Sequence, residues 1–241
     1  MLQPSLSVFV PAYNAADTLS GVIARIPDEA WPIIEAVHVI NDGSTDATAR
    51  VAMTIEQKYP KVRLHSLPSN QGYGQAVRQG IKLCLAGGAD YIGCLHADGQ
   101  YPPEQLLPFV QHMHARGIHV LQGSRHKDGG ALAGGMPFYK YVAGKCLSWL
   151  ENKTFGLHLT DYHSGFLVYS RTALLTVPVD RLSGYFDFDL EFIAWARSKG
   201  LTVDELPIPT RYHGEVSHLN PVRYGLRALG VMGKYVTGRY R

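Results

Sequence analysis

The sequence predicts an α/β protein: a mostly parallel central sheet with helices on both faces and an amphipathic helix at the C-terminal end. Three observations lead there. Along residues 1–125, short apolar runs alternate with helix-periodic stretches, the rhythm of strands joined by helical crossovers. Most of the apolar runs close in polar, turn-forming clusters such as Asp42-Gly43-Ser44 and His96-Ala97-Asp98. The chain, 241 residues with 46% hydrophobic and 18% charged, is long enough for one full core and is of ordinary globular composition.

Ser7 to Val10 is a short apolar run closed by Pro11, which suits a buried strand. Asn14 is expected to open a helix, with Asp17 three residues on and Leu19, Val22, Ile23 and Ile26 as its inward stripe. Ala36 to Ile40 reads as the second strand, and Ser44 as the cap of a helix carrying Ala47, Val51, Ile55 and Tyr59. Val62 to Leu67 is the third strand. The turn Asn70-Gln71-Gly72-Tyr73-Gly74 then leads into a helix with Val77, Ile81 and Cys84 inward. A strand from Tyr91 to Leu95 runs into His96-Ala97-Asp98-Gly99-Gln100, followed by a helix from Pro102 to about Arg116 and a strand from His119 to Gln122. Lys127 to Pro137 is glycine-rich and reads as a mobile loop, Phe138 to Phe155 as an amphipathic helix. Strand-like Leu167 to Tyr169, a helix from Phe186 to Lys199 and an edge strand from Leu201 to Ile208, with Pro207 and Pro209, complete the body.

The chemistry gathers at the strand ends. In a doubly wound sheet, Pro11-Ala12-Tyr13-Asn14, Asp42-Gly43-Ser44 and His96-Ala97-Asp98 converge on one crevice. There Asp42 could accept from a base or ribose, and Tyr13 could stack on a base. Side chains at i and i+2 of an extended segment share a side, so His96 and Asp98 could hold one cation between them, with Gln100 close behind. Taken singly, each cluster is an ordinary turn or cap. Three at strand ends of one chain point to a nucleotide site. The three cysteines (Cys84, Cys94, Cys146) have no paired spacing and read as small hydrophobes of a reducing compartment. The formal net charge of +3 gives no reason to expect nucleic acid.

These motifs, with Asn70-Gln71-Gly72-Tyr73-Gly74, Gly123-Ser124-Arg125 and Tyr162-His163-Ser164-Gly165-Phe166, resemble those of family 2 glycosyltransferases in order and spacing, over Ser7 to at least Gly225. The nearest branch is the one that includes dolichyl-phosphate mannose synthase and other polyprenyl-phosphate glycosyltransferases. The resemblance implies a GT-A (Rossmann-like) fold, in which residues 1–125 bind the nucleotide sugar, 126–210 serve the acceptor and 211–241 form a basic helical tail. It implies that Pro11, Ala12, Tyr13 and Asn14 line the base and ribose pocket, with Asp42 on the base. Gly43, Asn70, Gly72 and Ala97 belong to the same nucleotide-sugar set, and Arg125 contacts a donor phosphate. His96-Ala97-Asp98 falls where the family keeps a metal-binding Asp-Xaa-Asp, so Asp98, with Gln100 and His96, would hold Mn²⁺ or Mg²⁺. The imidazole of His96 in place of an acid shifts preference towards Mn²⁺.

The implied reaction is an inverting transfer of a sugar from a UDP- or GDP-linked donor. A polyprenyl phosphate is the expected acceptor. It arrives ionised and needs no base. The alternatives are a hydroxyl of a surface glycan, which needs a base, and a nucleotide-sugar-binding protein without turnover. Asp98, Asp161 and Asp189 are the candidate catalytic carboxylates, although Asp187 and Asp189 also suit the first turn of a helix as plain dipole partners. In a helix from Pro221, Arg223, Arg227, Lys234 and Arg241 fall on one side and Val222, Leu226, Leu229 and Val236 on another. Such a basic stripe suits an anionic membrane surface, and a cytoplasmic protein held at the inner face of the membrane is the expectation. An oligomer stays open.

Overall fold

The computed structural model describes residues 3–209 and 220–240; the tail boundary at 210, and Arg211, Glu215 and Arg241 of the basic tail, lie outside them. The strands are β1 (Leu6–Ala12), β2 (Ile34–Asn41), β3 (Val62–Ser66), β4 (Tyr91–Cys94), β5 (Val120–Ser124), β6 (Leu167–Ser170) and β7 (Val203–Pro207). They form one sheet in the order β3-β2-β1-β4-β6-β5-β7. β6 runs antiparallel to both β4 and β5, and the other pairings are parallel. The expected mostly parallel sheet is present, with β7 on the edge that its prolines suit.

Nine α-helices lie among the described residues: α1 (Leu19–Ala24), α2 (Thr48–Lys58), α3 (Tyr73–Gly87), α4 (Leu106–Arg116), α5 (Gly130–Ala133), α6 (Phe138–Phe155), α7 (Arg171–Thr176), α8 (Phe188–Ser198) and α9 (Pro221–Val236). The strands send alternate side chains to two cores. Val8 and Val10 join Val22, Ile55 and Phe109 on the side of α1, α2 and α4. Phe9 joins Val77, Phe192 and Val231 on the side of α3, α8 and α9.

Pro11 shows how this sheet opens. β1 pairs with β4 only up to Phe9 opposite Cys94, so the proline's missing N–H faces a neighbour that has already left the ladder. Strand order reverses at β1, with β2 and β3 on one side and β4 on the other. The crevice of a doubly wound sheet belongs at that reversal.

Five expectations are corrected. Asn14 does not open a helix: it sits in the left-handed region at φ 49, and α1 begins five residues later at Leu19. Its side chain instead accepts from the Thr45 N–H at 2.9 Å, while Ser44 Oγ accepts from the Asn14 N–H at 3.0 Å. The two expected caps thus tie two loops together, and α2 carries no side-chain cap. Residues 127–137 include two short helical segments, with Ala131 buried, and are not simply a loop.

The other two corrections concern which sides face out. α6 has the expected limits, but Ser148, Glu151 and Phe155 face inward while Phe138, Tyr139, Val142, Trp149 and Leu150 are exposed. In α9 the basic stripe turns towards the body: Arg227 Nε lies 2.7 Å from Asp187 and Lys234 Nζ 2.8 Å from Glu191, both acids of the α8 region. The side left exposed carries Val222, Leu226, Leu229 and Val236. Left unpaired, the buried carboxylates of Asp187 and Glu191 would be costly, and the two cations offset that cost, while Ala228, Val231 and Met232 fill the core beneath. Among the described residues no helix is long and apolar enough to cross a membrane.

Candidate active site

The C-terminal ends of β1 and β2 and the turn before α3 meet in one cluster. The Asp42 N–H donates to Ala12 O at 2.9 Å, joining the first two strand ends. The Asp42 carboxylate, itself buried, accepts from the N–H groups of Gln71 (2.7 Å) and Gly72 (2.9 Å). Its two oxygens keep further lone pairs for a base or ribose donor. Gly43 is required by close approach: at φ 62, a Cβ there would lie 2.3 Å from Ser69 C and 2.4 Å from Asn70 N. Pro11 is partly covered and Ala12 buried, whereas Tyr13 is 43% exposed and Asn70 is exposed. The cluster therefore presents an exposed aromatic face above a floor of backbone and carboxylate.

Across the strand reversal lies the segment that follows β4. Asp98 is exposed, its Oδ1 accepting from the Gln100 N–H at 3.0 Å, and Ala97 is buried. His96 is turned into the protein. Its ring lies 5.5 Å from that of Tyr73 and 5.0 Å from that of Tyr101, and its Nε2 is 3.4 Å from the Tyr73 hydroxyl. Gly165 lets the ring in, since a Cβ there would meet His96 Nε2 at 2.5 Å. Burial lowers the His96 pKa, against the opposing pull of Asp98's charge and a hydrogen bond to the Gly165 backbone. Among the described residues, no three His, Cys, Asp or Glu side chains converge as a metal cage. The donor set fits a hard divalent cation that takes one carboxylate, with Gln100 near it, and completes its shell with phosphate oxygens and water.

Tyr73 connects this segment to the other half. Its hydroxyl donates to Asp189 Oδ2 at 2.8 Å, and Tyr169 donates to Asp189 Oδ1 at 3.3 Å. Burial pushes the Asp189 carboxyl up to about 7, although the two tyrosine hydrogen bonds oppose it. Asp161, by contrast, is fully buried and fully employed. Arg125 grips it with Nε at 2.7 Å and Nη2 at 3.1 Å, and the His163 N–H adds a bond at 2.9 Å. Burial alone would raise the Asp161 carboxyl, but the charge and hydrogen bonds of Arg125 outweigh it and hold it well below the usual carboxylate range. The geometry does not support Asp161 as a base, and it commits two nitrogens of Arg125 to a structural ion pair.

The sequence reasoning missed a buried polar cluster behind this pair. Glu151 of α6 has no exposed surface, and its Oε2 lies 3.4 Å from His163 Nε2, whose Nδ1 is 3.0 Å from the Tyr224 hydroxyl of α9. Burial, with Asp161's charge adding, pushes Glu151 up to about 9, and burial lowers His163 to about 4. Both are neutral near pH 7, as a carboxylic acid beside an imidazole. The one available signal was Glu151 sitting at helical spacing among apolar side chains.

The sequence model of Glycosyl transferase family 2 matches residues 7–177. The chain belongs to that family. It is 25% identical over 88% of its length to UDP-N-acetylglucosamine–dolichyl-phosphate N-acetylglucosaminyltransferase of Methanococcus voltae, covering 88% of that protein. It is 27% identical over 83% of its length to polyprenol monophosphomannose synthase of Mycolicibacterium smegmatis, covering 75% of it. Among solved structures, glucosyl-3-phosphoglycerate synthase of Mycobacterium tuberculosis, crystallised with Mn²⁺, UDP and phosphoglyceric acid, aligns at a TM-score of 0.69. The identity there is 17%, over 98% of this chain and 78% of that one. That likeness gives the family 2 chain its GT-A fold. The chain is a glycosyltransferase, related to proteins named for polyprenyl-phosphate substrates.

Proposed function

We propose that this family 2 glycosyltransferase transfers a sugar, with inversion, from a UDP- or GDP-linked donor to a polyprenyl phosphate at the cytoplasmic surface of a membrane. The nucleotide lies over Ala12, Tyr13, Asp42 and Gly43, with the turn from Asn70 to Gly72 beside it. Asp98, supported by Gln100, would hold Mn²⁺ or Mg²⁺, which when bound neutralises charge on the departing diphosphate. His96, packed between Tyr73 and Tyr101, shapes the wall beside Asp98 in this reading and is not a ligand.

The observation that carries the acceptor is the state of the carboxylates. Asp161 is spent on Arg125, and both oxygens of Asp189 accept from tyrosine hydroxyls. An acceptor that arrives ionised asks nothing of either, and relatives over most of this chain are named for lipid-phosphate substrates. A second reading, transfer to a glycan hydroxyl with Asp189 as base, is favoured by the rise of that carboxyl to about 7, near working pH.

Calorimetry with UDP and GDP, with and without Mn²⁺, tests the donor half. Metal-dependent binding of one of them is expected, and binding of neither by folded protein overturns the reading. Radiolabelled transfer to a polyprenyl phosphate tests the acceptor half, and transfer only to soluble glycans moves the assignment to the second reading.

A further inference from the structure

A sugar transferase that serves a phosphate has a rival acceptor in water. Water attacks a sugar carbon well only when a base takes its proton, whereas a phosphate arrives ionised. A carboxylate left idle beside the crevice is therefore a hazard. Asp189 of α8 is such a group: it is buried, and burial raises it to about 7, so that it is partly ionised at neutral pH.

Tyr73 stands between this carboxylate and the crevice. It is the first residue of α3 and follows Gly72, whose N–H binds the Asp42 carboxylate. Its hydroxyl donates to Asp189 Oδ2 at 2.8 Å and lies 3.4 Å from Nε2 of His96, two residues before Asp98. The ring is held on two sides, stacked 5.2 Å from Phe186 and 5.5 Å from the His96 ring. The backbone behind it is fixed to the loop before α8: the Gly74 N–H donates to Gly184 O at 3.1 Å, and a Cβ on Gly74 would lie 2.5 Å from Ser183 O. The other oxygen, Oδ1, faces the core, where the fully buried Tyr169 of β6 donates to it at 3.3 Å. One hydroxyl thus closes the carboxylate towards the core and the other towards the crevice.

We propose that Tyr73 is a specificity-determining residue, whose hydroxyl occupies the crevice-side oxygen of Asp189 and so denies water a base. The proposal rests on the phosphate-acceptor reading. In the step that is suppressed, a water oxygen bonds to the anomeric carbon of the donor and gives its proton to Asp189 Oδ2. The bond from that carbon to the diphosphate oxygen breaks, and the diphosphate leaves with the electron pair. The product is free sugar, and the donor is wasted. Tyr73→Phe keeps a ring between Phe186 and His96 and removes only the atom that occupies Oδ2.

The test is hydrolysis of UDP-glucose, UDP-N-acetylglucosamine and GDP-mannose with Mn²⁺ and no acceptor, followed as released nucleoside diphosphate. Tyr73→Phe is expected to raise hydrolysis roughly tenfold, and Asp189→Asn in that background to cancel the gain. Tyr169→Phe frees only the oxygen facing the core and is expected to leave hydrolysis at the parent rate, whereas a loosened fold would raise it in both tyrosine variants. The gain should also climb with pH. The titratable groups around Asp189 are the Tyr73 and Tyr169 hydroxyls, the Cys94 thiol and the Tyr224 hydroxyl of α9, each raised by burial and so neutral at pH 7. The Tyr73 hydrogen bond holds the carboxyl down, so without it the base form gathers above pH 7. Calorimetry comes first: binding of neither UDP nor GDP overturns the functional reading and this proposal with it. Where a nucleotide binds, no gain in Tyr73→Phe, a gain that survives Asp189→Asn, or an equal gain in Tyr169→Phe overturns the proposal alone.

Discussion

Replacing Glu151 with Gln is expected to stabilise this protein, and by an amount that grows with pH. The side chain has no exposed surface, and burial pushes its carboxyl from 4.5 up to about 9. A carboxyl with a raised folded pKa contributes fully below its unfolded value and loses that contribution as pH rises through the folded one. The relevant window is therefore from pH 4.5 to about 9. At about 1.4 kcal/mol per unit, the native state at pH 7 forgoes roughly 3 kcal/mol relative to pH 4.5, because the unfolded chain can ionise freely and the buried group cannot. Gln keeps the shape and can donate its amide N–H to His163 Nε2, so the variant lacks the titration without losing the contact. His163, lowered to about 4, titrates on the acid side in both proteins and largely cancels in the comparison. Urea unfolding of both proteins between about pH 5 and pH 8, at equal m-values, should show the gap widening by roughly 3–4 kcal/mol. A gap that does not change with pH would refute a protonated Glu151.

Three other outcomes are expected. Gly165→Ala puts a Cβ 2.5 Å from His96 Nε2, so nucleotide binding in the presence of Mn²⁺ should weaken roughly tenfold by calorimetry, and unchanged affinity would show that the His96 ring does not shape the site. Asp189→Asn should reduce transfer to a lipid phosphate only a few-fold, whereas a loss of about 10²–10⁴-fold with donor binding intact would mark Asp189 as a general base. Arg227→Met leaves the buried Asp187 with the Ser183 hydroxyl as a donor and should cost about 1–3 kcal/mol in urea unfolding, discounted because the arginine is partly solvated; Asp187→Asn in the same chain should recover part of it.

The sheet and the turns that meet at its strand ends were legible in the sequence because both are local. A strand is a short apolar run, and Asp42-Gly43 or Asn70-Gln71-Gly72 announces its turn within a few residues. What escaped depends on pairs distant in sequence. Arg125 was expected on a donor phosphate and Asp161 as a candidate catalytic carboxylate, and in the fold they occupy each other. The Tyr73 hydroxyl finds its acceptor 116 residues away at Asp189. For α9, helical periodicity gave which side chains share a stripe but not which stripe turns inward. That was decided by Asp187, read from the sequence only as a helix-dipole partner, and by Glu191.

The single antiparallel strand has a consequence for how such an enzyme can change. A parallel strand delivers the loop that follows it to the crevice, whereas β6 delivers the loop that precedes it. Residues 125–166 therefore leave the sheet at the end of β5 and return at the start of β6, two strands hydrogen-bonded to one another. That segment is an excursion closed at its base. Lengthening or rewriting it costs little in chain entropy and shifts no register in the sheet. The Arg125–Asp161 pair and the exposed side of α6 can thus drift as one cassette while the strand ends of β1, β2 and β4 stay as they are.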